Sequence, residues 1–270
     1  MRVNRPGEAI EAFKKVDREN TWAPFWTSLL QAHHLLGEHD KELEIVREGR
    51  RRFPDGSGFF TAELGALAAM GNLAEAKAFA TNFSDHKAFV SGAATPAGSM
   101  RNAAIEMRAH GHEEEAMKLL DEAVRWYENQ PPEKQKGLRA AYALTLYCAR
   151  RWDKAKVIYE ELAQKVPRDS AGGRGHGYMV GLIAARQGDK VKAMEVSEWL
   201  KSIKEPYQYG GLTYQRACIA AILGDKAQAV ALLKECFLQG AQYGIELHRD
   251  FNLESLWDYP PFIEFLKPKG

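Results

Sequence analysis

The sequence predicts an all-α fold, a solenoid of antiparallel helix pairs: about six hairpins, preceded by a half-repeat and closed by a C-terminal capping helix. Three observations predict it. A helix–turn–helix pattern recurs along the 270 residues, and a repeat of this period marks stacked units rather than one compact core. The turn falls at Gly37, Gly71, Gly111, Arg150, Gly188 and Gly224, at successive spacings of 34, 40, 39, 38 and 36. Small or apolar residues then follow five, nine and twelve positions after the turn, as in Ala116, Leu120 and Ala123, in Ala155, Tyr159 and Leu162, and in Ala229, Leu233 and Cys236. Steps of four and three residues put all three side chains on one helical face.

Taken in order, residues 1–20 form the half-repeat. Their stretch PGEAIEAFKKVDREN has the pattern of a second helix alone, with Ala9 and Phe13 on its apolar face. A repeat cannot bury its apolar face without a neighbour, so either the chain is a piece of something longer or Met1 begins an unusually short cap, and the first is the expectation. Residues 21–240 hold the six repeats. Their first helices carry Leu30, Leu64, Ala104, Ala143, Gly181 and Ala217 seven residues before the turn. Their second helices carry Ala76, Ala116, Ala155, Ala193 and Ala229, small enough for two helices to approach closely; Glu42 breaks this rule. Glycine suits the turn because it adopts the left-handed conformation that ends a helix. Pro54 and Pro167 close their repeats, since proline cannot continue a helix interior. The drift in spacing predicts longer loops at 84–99, 129–137 and 167–177. Residues 241–270 form the cap: a short helix, then Pro-Pro opening another, with Leu253, Leu256, Trp257, Phe262, Phe265 and Leu266 available to cover the last hairpin.

These repeats resemble the tetratricopeptide family. Trp26, Leu29, Leu30, Val46, Gly49 and Pro54 fit its pattern, as do Trp152, Ala155, Tyr159, Leu162 and Pro167. The resemblance runs from about Ala9 to Phe237 and implies a right-handed superhelix, here as a single domain over 1–270, with the first helices on the concave side. FWTSLLQAHHLLGEHDKEL and the C-terminal tail also resemble repeat regions that follow kinase, DNA-binding or propeller domains in large bacterial signalling proteins, so additional upstream domains are expected.

Composition narrows the function classes. A net charge of +1 gives no global field to attract nucleic acid. Cys148, Cys218 and Cys236 form no CxxC pair, which indicates neither a disulfide framework nor a zinc site and suits a reducing compartment. The N-terminus lacks the apolar stretch of a signal peptide, and no apolar run reaches the roughly 20 residues that span a bilayer. A cytoplasmic location with no membrane contact is the expectation.

Four stretches imitate catalytic or binding motifs. HRDFNLES, residues 248–255, looks like a kinase catalytic loop, but Ser255 stands where a metal-binding Asn belongs, and no glycine-rich strand turn or DFG accompanies it. It reads as a capping segment with His248 and Arg249 near a helix end. HGHEEEA, residues 110–116, hints at HExxH, but Ala116 replaces the second His. AGGRGHGYMVG, residues 171–181, lacks the Gly-Lys-Ser/Thr of a phosphate loop and reads as a flexible loop, with Gly177 and Gly181 permitting close helix packing. REGRRRFPD, residues 47–55, reads as a solvated helix face. No catalytic residue, metal or cofactor is expected.

The family's inward positions map here onto Thr27, Gln31, His34, Arg101, Arg108, Tyr147, Tyr178, Arg186 and Tyr214. Tyrosine and arginine are the types enriched at binding hot spots. The expected function is a non-catalytic scaffold, regulatory in role, that holds a peptide or partner helix in its groove. The carboxylate-clamp arrangement of the family is not reproduced. An enzyme would need a convergent set of titratable groups in that groove, and a helical-repeat RNA reader would need a regular code of side chains per repeat.

Overall fold

The computed structural model describes residues 4–17, 21–53, 57–81, 95–204 and 206–269. Among them there is no strand. The helices in chain order are α1 (Pro6–Phe13), α2 (Ala23–Leu35), α3 (His39–Arg52), α4 (Ser57–Ala69), α5 (Leu73–Thr81), α6 (Pro96–Ala109), α7 (Glu113–Glu128), α8 (Pro132–Cys148), α9 (Trp152–Gln164), α10 (Ala171–Arg186), α11 (Lys190–Ser202), α12 (Gly211–Ile222), α13 (Lys226–Leu238), α14 (Glu246–Arg249) and α15 (Pro260–Leu266), with a 3-10 turn at Phe251–Leu256. They form two compact units. The first takes the described residues of Met1–Asn129, Tyr243–Asp250 and Lys267–Gly270; the second takes Gln130–Gln242 and Phe251–Leu266.

Each hairpin turns where the repeat requires it. Gly37, Gly71, Gly111, Gly188 and Gly224 have φ between 70° and 85°, and Arg150 takes the same left-handed conformation at 57°. At all six turns the next N–H donates to a carbonyl five residues back: Glu38 to His33, Asn72 to Leu67, His112 to Met107, Arg151 to Leu146, Asp189 to Ala184 and Asp225 to Ala220. This wraps the C-terminal carbonyls of the first helix and reverses the chain. The following helix is launched by a side-chain cap in two cases, where Asp189 accepts from Lys192 N and Asp225 from Gln228 N.

Packing follows the chain. In the first unit α2, α4 and α6 pack in succession, each also against its own hairpin partner; in the second, α10 packs on α9, α11 and α12. The small residues at the crossings, Ala76, Ala116, Ala155, Ala193 and Ala229, are fully buried. The all-α stack of helix pairs expected from the sequence is the fold of each unit. Trp26 is buried in first helix α2. Trp152 instead opens second helix α9, half-buried, and so does not take the family's first-helix tryptophan position. Cys148, Cys218 and Cys236 are free thiols in the core; burial and the charge of Glu235 push the Cys236 thiol up to about 11.

The expected loops are shorter than the spacing predicts. Residues 132–137 belong to α8 and 171–177 to α10, while 96–99 begin α6 and 84–94 lie outside the described residues, as does Pro54. Proline explains two of these differences. Pro96 and Pro132 sit in the first turns of α6 and α8, where the missing N–H costs nothing, so they start helices. The third is explained by Ser170, whose hydroxyl accepts from Gly173 N and caps α10 across the glycine-rich stretch. Gly177 and Gly181 do permit close packing: a Cβ there would stand 2.8 Å from Trp199 and 2.6 Å from Val196.

The basic run of α3 is more than a solvated face. Arg47 Nε donates to Glu63 at 3.2 Å and its Nη2 to Glu75 at 2.9 Å, while Arg50 also reaches Glu63. Glu63 is buried on α4, and a buried carboxylate must be neutralised by close partners.

Candidate functional site

Five of the nine residues that map to the inward face fall into two places, one in each unit. In the first unit, α2 contributes Thr27, Gln31 and His34, which line a cavity of about 290 Å³ together with Glu42, Glu106 and Arg249. Thr27 uses its hydroxyl to donate to Pro24 O on its own helix.

His34 is the centre of a buried polar cluster. Its Nδ1 lies 3.0 Å from Glu42 Oε2, and its Nε2 lies 3.2 Å from Glu106 Oε1. Glu42 Oε2 is also 3.1 Å from His39 Nδ1, and Glu106 Oε1 is 3.2 Å from His110 Nε2. The second oxygen of Glu106 accepts from Arg249 Nη1 at 3.1 Å. Four helices therefore supply the cluster: α2, α3, α6 and α14. His110 caps the C-terminus of α6 four residues after Glu106, and Glu42 lies one turn after His39 on α3, so that pair shares a helical face. Burial disfavours charge on His34, yet the hydrogen bonds and charges of Glu106 and Glu42 outweigh it and raise its pKa to about 10. Burial also opposes the Glu106 carboxylate, but hydrogen bonds to His110 and His34 and the charges of His34 and Arg249 hold it far below the usual carboxylate range. His248 stands nearby, kept neutral by burial and by the charges of His34 and His110, with a pKa lowered to about 4 against the pull of Glu106. Its buried Nε2 has no hydrogen-bond partner among the described residues.

In the second unit, Tyr147 and Arg186 hold the chain's own segment after Asp250. Tyr147 is buried on α8 and donates its hydroxyl to Asn252 Oδ1 at 2.6 Å. Arg186, at the end of α10, reaches the Glu254 carboxylate and donates Nη2 to Phe251 O at 2.8 Å. Phe251 packs its ring 5.4 Å from that of Tyr147 and under the Arg186 guanidinium. The segment goes on to α12, where Ser255 Oγ donates to Ala221 O at 2.7 Å. HRDFNLES thus ends a short helix with His248 and Arg249 and then lies on the first helices of the second unit.

The other mapped positions are separate from these. Arg101 is half-buried on α6, and Tyr178 and Tyr214 are half-buried on α10 and α12. Arg108 is buried and its Nε donates to Glu113 of the same hairpin at 2.9 Å. Sequence reasoning did not select His39, Glu106, His110 or Arg249 for the first site. Glu42 carried a readable signal, as the one departure from the small-residue rule; His110 and Arg249 stood in stretches that imitate other motifs, and His39 and Glu106 carried none.

Fold and site together define a helical-repeat chain whose first-helix faces carry polar and aromatic side chains. No protein-family model and no curated protein matches the sequence. Among solved structures, a tetratricopeptide repeat protein from Parabacteroides merdae is similar, with 15% identity, a TM-score of 0.46, and coverage of 93% of this chain and 91% of that one. No described helix is long and apolar enough to cross a membrane.

Proposed function

We propose that this chain is a non-catalytic protein-interaction scaffold whose first helices in the second unit bind a partner segment bearing an aromatic residue followed three positions later by a carboxylate. One observation carries the reading: Tyr147 and Arg186, both at inward positions of the repeat, already grip a segment of that chemistry, Phe251 to Glu254. Arginine can fix a carboxylate and a carbonyl at once, and a buried aromatic ring supplies the apolar area. The chain's own segment occupies the face, so a partner has to displace it.

The test uses a labelled peptide with the sequence RDFNLESLW and the double variant Asn252→Ala, Glu254→Gln, which loosens the internal segment and leaves the face intact. The variant should bind the peptide at least tenfold more tightly than the unaltered chain in fluorescence anisotropy. Adding Arg186→Glu should abolish the gain. A loosened variant with an unchanged helical spectrum that binds no better than the original would overturn the reading.

A further inference from the structure

The polar cluster of the first unit has more donors than its fold needs. Elsewhere the crossing position occupied by Glu42 is a buried alanine. Here a carboxylate is buried instead, together with a second one at Glu106 and the imidazole of His34, and these meet a half-buried His39 and an exposed His110. Placing two carboxylates in a helix crossing is costly unless every lone pair is used.

From this arrangement we infer that His34, Glu106 and His110 form a binding site for a divalent transition metal of the zinc type. Their candidate ligand atoms all lie within 4.8 Å of one another. The two closest pairs, His34 Nε2 to Glu106 Oε1 and His110 Nε2 to Glu106 Oε1, are both at 3.2 Å. A tetrahedral ion with bonds of about 2.0–2.1 Å has ligand atoms roughly 3.3 Å apart, so these two pairs already stand near two edges of such a site, with the third pair within 4.8 Å. Two imidazoles and a carboxylate are a ligand set that zinc accepts with a fourth position left open.

The surroundings favour this trio over its neighbour, His34, His39 and Glu42. Metal-bound imidazoles are oriented by a carboxylate on the far ring nitrogen; His34 Nδ1 is 3.0 Å from Glu42, which His39 holds in turn. The second oxygen of Glu106 is held by Arg249. His110 is the exposed member and gives the ion a way in. The cavity lined by His34 and Glu106 has room for an exogenous fourth ligand. His248, whose buried Nε2 has no hydrogen-bond partner among the described residues, stands beside the site.

The experiment titrates the untagged, metal-stripped full chain with cobalt(II), then with zinc. One equivalent of cobalt should bind and give the visible absorption of a four-coordinate ion, and zinc should bleach it. His110→Gln, at an exposed position, should weaken cobalt binding by about 10–100-fold. His176→Gln, in the second unit and away from the cluster, should keep full stoichiometry and the same spectrum. Absence of stoichiometric cobalt binding would overturn the inference, as would a His110→Gln protein that binds like the original or a His176→Gln protein that binds none. The site lies in the first unit, so its failure leaves the peptide test on Arg186 untouched.

Discussion

Glu42 shows how one side chain can change what a repeat is for. At the equivalent crossings alanine is fully buried; at Glu42 the place is taken by a carboxylate that meets His34 and His39. Restoring the repeat consensus with Glu42→Ala should therefore destabilise the protein. The loss is expected at about 3 kcal/mol in urea unfolding, since removing one partner leaves buried polar groups without a counterpart. A neutral or stabilising result would mean that the cluster contributes nothing to the fold. The sequence shows that Glu42 is exceptional, but not why. Periodicity identifies the face of a helix, while His34, Glu106 and Arg249 meet only through tertiary packing across distant positions. The same limit applies to Arg108, which the repeat places inward and which the structure pairs with Glu113 of its own hairpin.

At the scale of the element, the six turns were legible down to the residue, because a left-handed conformation has a specific chemical signature in glycine. Helix starts were less legible. Proline and glycine-rich stretches between periodic segments look like loops, yet Pro96, Pro132 and Ser170 begin helices. The helix α10 allows a sharp test. A Cβ at Gly173 would stand 2.2 Å from the Pro167 carbonyl oxygen, whereas one at Gly175 would meet nothing within 4 Å. Gly175→Ala should thus stabilise the protein by about 0.5–1 kcal/mol through helix propensity. Gly173→Ala should lower stability by about 1–3 kcal/mol through overpacking. Thermal unfolding of the two variants side by side checks both signs, and a loop at this place would give neither.

At the scale of the whole molecule, residues 243–269 are shared out between the units. In the first, Arg249 reaches Glu106, Asn4 Nδ2 donates to Lys267 O at 2.8 Å, and Lys269 N donates to Asn4 O at 2.7 Å. In the second, Phe251, Leu253, Leu256 and Phe262 are buried, and Phe265 rests its ring 5.4 Å from Phe237. The sequence located this segment as a cap but not its division, since an apolar residue can cover any exposed hairpin equally well. Deleting residues 243–270 should raise amide hydrogen exchange in α6 and in α12 alike, whereas a tail serving only the last hairpin would loosen α12 alone. Exchange read by mass spectrometry distinguishes the two.

That division also bears on synthesis. Both units draw core residues from 243–269, so neither can reach its final packing while only the earlier helices have emerged. Until residue 269 clears the exit tunnel, the nascent chain exposes apolar surface along both units, which is the state that chaperones recognise.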